Sequence, residues 1–158
     1  MRFREIVVET AILPSLSADK RDDAIAELVD ALVESKTIAK KDRDAFFKAV
    51  IAREKKGSTG FGHGVAVPHV KSPKIEKLAV AVGISDVGVE FNALDRKPVH
   101  SIFLLLSPEH RPEDHLEAME LIFGQLRHDR FRSFLRQAAT VEDVVRLLDE
   151  ADSNRAAR

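Results

Sequence analysis

Along the chain, apolar positions recur first with a helical period, then with a strand period, then with a helical one again. Ile25, Leu28, Val29, Leu32 and Val33 fall at i, i+3, i+4, i+7 and i+8, one side of an amphipathic helix, and Ser17 upstream is a candidate N-cap. A second helix is expected from about Lys40 to Lys55, where Phe46, Phe47, Val50 and Ile51 share a face and Gly57 offers a stop. The period then shortens. "LAVAVGI" (78–84), "VGVEF" (87–91) and "SIFLLL" (101–106) are β-branched or aromatic-rich runs bounded by turn residues, and they read as strands of one buried sheet. After Pro108 helical spacing returns, with Leu116, Met119, Phe123 and Leu126 on one helix, Phe131, Phe134 and Leu135 on another, and Val141, Val144, Val145 and Leu148 on the last. Pro112 followed by Glu113 and Asp114 marks a helix start, because proline suits the first turn and carboxylates suit the positive end of the dipole. The polar stretch "ADSNRAAR" (151–158) is expected as a flexible tail on a single domain over 1–150, since no repeat or Pro/Gly/Ser linker divides the chain.

Composition narrows the function classes. At 158 residues, 44% of them hydrophobic, the chain is the size of one domain with a real core. Charged residues are 32% but almost cancel, to a net charge of -1, so there is no basic field for nucleic acid or an anionic membrane surface. The absence of cysteine excludes disulfides and thiol catalysis and suits a reducing cytoplasm. "MRFREIVVET" has no apolar leader and nowhere do 18 apolar residues run together, so a soluble, cytoplasmic protein with no direct membrane insertion is expected. Trp and Tyr are absent, which counts against a dedicated sugar-binding or base-stacking platform.

The chemistry concentrates in "GFGHGVAVPHVK" (60–71), where three glycines lead into a short apolar run that stops at Pro68, directly before His69. A nucleotide-binding loop is excluded: the P-loop pattern needs a lysine after its second glycine, and the dinucleotide fingerprint needs a helix where this chain has Pro68. His69 then stands at a strand end, where open sheets carry their chemistry. On the residues alone it could equally be a packing or surface histidine after a turn. A metal site is the weakest alternative, since His63 and His69, six apart, and His110 and His115, five apart, match no familiar ligand spacing. No metal or other cofactor is expected.

The wider segment "REKKGSTGFGHGVAVPH" resembles the active-site segment of EIIA components of the phosphoenolpyruvate-dependent phosphotransferase system, fructose/mannitol type, which includes the nitrogen-regulatory EIIA proteins. The matching parts are Arg53, the turn Gly57 to Thr59, the stretch Gly60 to Gly64, and Ala66 to His69. "VEFNALDRKPVHSIFLLLSP" looks like the family's lead into a central strand and "EDHLEAMELI" like its second-histidine helix, so the likeness covers about residues 5 to 150. Two departures stand out. Arg96 occupies a position where the family often has glycine, expected to be a turn change of little consequence, and Val70 follows the active histidine where glycine is common, expected to alter partner fit or local flexibility. A stand-alone chain of this length most resembles the nitrogen-regulatory branch.

The resemblance implies an α/β single domain with a mixed central β-sheet flanked by helices, and a phosphoryl carrier function. His69 would accept a phosphoryl group from the phosphohistidine of an HPr-like protein. It would then act as a phosphorylation-dependent regulator of another protein, or pass the group to a separate EIIB of a fructose- or mannitol-type permease. Such a chain is a phosphotransferase-system component and a stoichiometric carrier. The residue types fit this chemistry. An imidazole with an ordinary pKa of about 6.5 is a competent nucleophile near neutrality, and its phosphorylated form is a good leaving group.

Arg53 offers a planar fork for two phosphoryl oxygens, although by itself it reads as a solvated member of "REKK". If Pro112 opens a helix, His115 lies in its first turn, where a neutral imidazole could donate to an anion; the alternative is packing beside Leu116. Ser58 and Thr59 could donate hydroxyls to the site or only cap their turn, and His63 reads as a turn residue nearby. Phe61, Val65, Val67 and Val70 are candidates for an apolar partner-docking collar, with strand alternation expected to bury some of them.

Overall fold

The run at 101–106 shows no polar alternation because the strand that contains it is covered on both faces. The structure, a computed structural model, describes residues 1–157. In chain order the elements are α1 (Phe3–Ile6), β1 (Val7–Leu13), α2 (Arg21–Glu34), a 3-10 turn (Lys40–Asp42), α3 (Arg43–Lys56), β2 (Gly60–Gly62), β3 (Val65–Ala66), β4 (His69–Ser72), β5 (Ala79–Val89), β6 (Val99–Pro108), α4 (Pro112–Leu126), α5 (Asp129–Gln137) and α6 (Val141–Ala156). The strands form one six-stranded sheet in the order β1-β5-β6-β3-β2, with β4 also paired to β6. β1 and β5 are parallel, β5 and β6 antiparallel, β3 and β4 parallel to β6, and β2 antiparallel to β3, so the sheet is mixed and flanked by helices, as the resemblance implies.

Strand alternation divides the interior in two. Ile102, Leu104 and Leu106 enter one core with Ile25, Leu28, Leu32, Phe46 and Val50 of α2 and α3. Phe103 and Leu105 enter the other, with Phe3, Ile122, Leu126, Leu135, Val144 and Leu148 from the remaining helices. Each fully buried Leu, Ile, Val or Phe contributes roughly 1.5–3 kcal/mol relative to exposure. The sheet is thereby clamped from both sides.

One register detail positions the site. Val65 pairs with Ser101 and Ala66 with Ile102, while beyond Pro68 His69 pairs with Leu105 and Ser72 with Pro108, all at the same offset. Thus β3 and β4 are one strand interrupted by proline, which removes a donor but keeps its carbonyl in use: Leu105 N–H donates to Pro68 O at 3.0 Å. Because the register is kept, so is the alternation. Val65 and Val67 enter the core under α4 to α6, whereas Ala66 and Val70 pack on the α2–α3 side.

Several elements differ from the sequence reading. Residues 78–91 do not form two strands; β5 is continuous to Val89, with an irregularity in its pairing after Ile84. Strand β1 escaped the pattern because its burial has no clean period. Ser17 does not cap α2, which begins after Lys20 without a side-chain cap. Instead Ser17 and Ala18 backbone N–H groups donate to the Glu27 carboxylate at 3.2 and 2.6 Å. On α4 the buried stripe is His115, Ala118, Leu121, Ile122 and Leu126, while Leu116 is 64% exposed and Met119 and Phe123 are half-buried. Phe134 is also exposed. Residues 151–156, expected as tail, continue α6, and the buried Asp152 carboxylate accepts the Phe3 and Arg4 backbone N–H groups at 2.8 and 3.2 Å, capping α1. Arg158 lies outside the described residues.

Candidate active site

The segment before His69 is built by close backbone approach. A Cβ on Gly60 would lie 2.9 Å from the Ala93 Cβ, so only glycine lets β2 meet the 92–98 loop, where Leu94 N–H donates to Gly60 O at 2.7 Å. Three side chains then pin the turn that links α3 to β2. Arg53 Nη1 donates to Gly57 O at 2.8 Å, Ser58 Oγ accepts the Gly60 N–H at 3.0 Å, and the buried Glu54 carboxylate accepts both the N–H and the hydroxyl of Thr59. Thr59 therefore spends its hydroxyl hydrogen on the turn, whereas Ser58 uses its oxygen there as an acceptor. Glu54, 2% exposed, was hidden in the charged run "REKK", although its spacing of four from Val50 put it on the apolar face of the helix.

His69 opens β4 half-buried, and its Nδ1 lies 2.9 Å from the Val67 carbonyl oxygen. A carbonyl can only accept, so Nδ1 carries the proton and Nε2 keeps a free lone pair. Burial, then the nearby positive charges of Arg53 and Lys71, hold the His69 pKa below its ordinary value; the Val67 carbonyl and the Glu54 charge oppose them. The result at neutral pH is an uncharged imidazole whose free lone pair is on Nε2.

His115 comes from the other direction. Arg111 is the N-cap of α4, Pro112 is the first helical residue, and the His115 N–H begins the helical ladder by donating to Arg111 O at 3.4 Å. Its side chain is 7% exposed, 5.5 Å between ring centroids from His69, with Nδ1 at 2.7 Å from Ser107 Oγ of β6. Burial, and secondarily the charges of Lys71 and His69, push its pKa down to about 4. The pair thus meets across the gap between β4 and the first turn of α4, with Arg53 and Lys71 supplying positive charge. Lys71 was not singled out from the sequence; its place two residues after His69, on the same side of the strand, was the available signal.

The other expected site residues are scattered. His63 is exposed at the β2–β3 turn with φ of +59°, beside Lys97, His100 and Arg136, and does not join the histidine pair. Val65 and Val67 are 1% and 0% exposed and cannot form part of a surface collar. Phe61 and Val70 are half-buried, and Phe61 packs against Phe123 at 5.0 Å between centroids. One residue beyond His115, Leu116 is exposed, and Met119 is half-buried against the core. Arg96 has φ of +62°, the left-handed region, so the position is more than a neutral turn change. No group of three or more His, Asp or Glu side chains that could hold a metal ion occurs among the described residues. Nor is any described helix long and apolar enough to cross a membrane.

Known proteins are similar to this chain over most of its length. The family described as "Phosphoenolpyruvate-dependent sugar phosphotransferase system, EIIA 2" matches residues 5–151. A nitrogen regulatory protein of Bradyrhizobium diazoefficiens is 34% identical over 148 residues, spanning 94% of this chain and 95% of its own. The fructose-specific EIIABC component of Bacillus subtilis is 28% identical over 152 residues, and there the match spans 96% of this chain but only 24% of the relative. Among solved structures, the nitrogen regulatory protein IIA-Ntr of Neisseria meningitidis superposes with a TM-score of 0.82 at 30% identity, over 91% of this chain and 97% of that one.

Proposed function

The chain belongs to the EIIA 2 family of the phosphoenolpyruvate-dependent sugar phosphotransferase system, and from that premise we propose that it carries a phosphoryl group on His69 Nε2. The observation that supports this reading above the rest is the His69 Nδ1–H···O=C Val67 hydrogen bond, which leaves Nε2 unprotonated. In the transfer step the Nε2 lone pair forms a bond to phosphorus as the donor's N–P bond breaks in line, and that electron pair returns to the donor imidazole. Positive charge from Arg53 and Lys71 and a hydrogen bond from neutral His115 would stabilise the three equatorial oxygens. Reversal of the same geometry delivers the group onward, since a phosphorylated imidazole is a good leaving group.

The donor in this reading is an HPr-like phosphohistidine protein. It docks on the apolar rim of Phe61, Val70, Leu116 and Met119, excluding water from around His69. Use of the bound phosphoryl group as a regulatory signal draws on the nitrogen regulatory relative and on the likeness to the IIA-Ntr structure. The second reading, onward transfer to an EIIB, draws on that fructose-specific relative, whose name joins A, B and C components in one chain.

Incubation with phosphoenolpyruvate, an enzyme I and an HPr-type donor should add one phosphoryl group by intact mass, labile in acid and stable in base as a phosphoramidate is. A modification that survives mild acid would place the group on a hydroxyl and overturn the assignment. Subsequent addition of an EIIB separates the two outputs, because only the sugar-linked carrier loses the group to it.

A further inference from the structure

We propose that Ser107 is a positioning residue whose buried hydroxyl donates to His115 Nδ1 and so keeps the His115 proton on Nε2, the nitrogen left free for the phosphoryl group. The inference rests on the carrier reading of His69 and names a residue that reading does not use.

Ser107 is 0% exposed, and its Oγ has His115 Nδ1, at 2.7 Å, as its partner among the described residues. The distance allows two directions. Were Nδ1–H to donate to Oγ, the serine hydrogen would be left in the interior without an acceptor, and His115 would offer a lone pair to an incoming anion. Were the hydroxyl to donate to Nδ1, both groups would be satisfied, and the remaining His115 proton would sit on Nε2. Only the second arrangement leaves no polar group orphaned. It is also the one that gives an incoming phosphoryl oxygen a donor.

Two further facts point the same way. Burial and the charge of Lys71 keep His115 neutral at physiological pH, so one of its nitrogens lacks a proton and the choice of tautomer matters. Moreover, Ser107 pairs with Lys71 in the same parallel ladder that pairs His69 with Leu105. The serine is thus fixed by backbone to the strand that carries the nucleophile, and its hydroxyl transmits that position to the first turn of α4. The relay is selective for this serine: Ser101, six residues earlier on β6, has a buried Oγ with no partner.

The test reads tautomer and transfer separately, on the whole protein labelled with 15N-histidine at neutral pH. In the wild-type protein His115, identified by the signals lost in His115→Gln, should show an unprotonated Nδ1 and a protonated Nε2. Ser107→Ala should lose this preference and slow phosphoryl uptake by roughly tenfold at unchanged stoichiometry, and Ser107→Thr, which keeps the hydroxyl, should restore both. A wild-type spectrum with the proton on His115 Nδ1 overturns the proposal, and so does a Ser107→Ala variant that keeps both the tautomer and the rate. The wild-type spectrum is decisive even if Ser107→Ala does not fold. Failure of the carrier reading is distinguishable, because it appears as no uptake by wild type while the tautomer, measured without any donor, stands.

Discussion

The two histidines are carried by regions built on opposite terms. Around His69 the chain is short pieces of strand joined by glycines and a proline, the imidazole is half exposed, and its tautomer is set by a backbone carbonyl. Around His115 the chain is the first turn of a four-turn helix, the residue is 7% exposed, and its ring's polar partner among the described residues is a side chain. A group that must meet an atom of another protein has to be reachable, and a carbonyl partner fixes its proton in a way no side-chain substitution can delete. A group that only assists can be withdrawn from water, where a hydrogen bond to an anion is worth more. In the carrier reading proposed above, the difference separates nucleophile from helper.

That division is broken most severely at the nucleophile. His69→Ala should abolish phosphoryl uptake from any donor, since no neighbouring group presents a comparable lone pair. His115→Ala removes one donor at a preorganised site, a loss that typically costs roughly 2.7–4 kcal/mol in the transition state, so uptake should slow by about a hundred- to a thousand-fold yet reach completion. Time courses of intact mass on purified variants, each with a cooperative thermal transition, make the comparison. Equal and total loss in both variants would mean that the buried histidine is no mere helper.

The contrast in burial also has a pH signature. With an ordinary value of 6.5 and a folded value of about 4, His115 is protonated in the unfolded chain before it is protonated in the folded one. Between those values the unfolded state binds more protons, so stability rises with pH across the window and is lost as pH falls from about 6.5 toward 4. At about 1.4 kcal/mol per pKa unit the full shift corresponds to about 3.5 kcal/mol, of which roughly 2–3 kcal/mol falls between pH 7 and pH 4, where the folded group is only half protonated. Urea unfolding at pH 7 and pH 4 should show wild type losing that much more than His115→Gln, a subtraction that cancels the carboxylates common to both. His69 shifts in the same direction, and His69→Gln should show the same sign of effect.

Much of this was legible before any coordinates. The helical period found α2, α3 and α6, and Pro112 with its acidic neighbours marked the start of α4 where the structure has it. The Ala66 to His69 motif placed His69 at a strand end, and it opens β4. What failed was facing. Leu116 read as part of the apolar face but is exposed, and Met119 and Phe123 lie only half-buried against the core, because apolar spacing reports a stripe and not what covers it; the fully covered stripe, one residue round the helix, contains a histidine that hydropathy counts as polar. Glu54 and Ser107 were invisible for the converse reason: each is polar, and its burial is tolerated only through partners, Thr59 and His115, that tertiary structure supplies.

The smallest effect sharpens the comparison from outside both regions. Arg96 stands in the 92–98 loop, whose Ala93 and Leu94 abut and bond Gly60, and it is held at φ of +62°. A non-glycine residue there carries about 1–2 kcal/mol of steric strain, while glycine adds roughly 0.4–1 kcal/mol of unfolded-state freedom. Relief slightly exceeds the loss, so Arg96→Gly should stabilise the protein by up to about 1 kcal/mol, read as a raised urea midpoint at unchanged slope. Uptake of the phosphoryl group should keep its wild-type rate, because the loop braces the backbone before His69 and touches neither imidazole. A stabilised variant with slowed uptake would instead show that tension in this loop is passed through Gly60 to the nucleophile, and that the His69 region is tuned by its scaffold as His115 is by its serine.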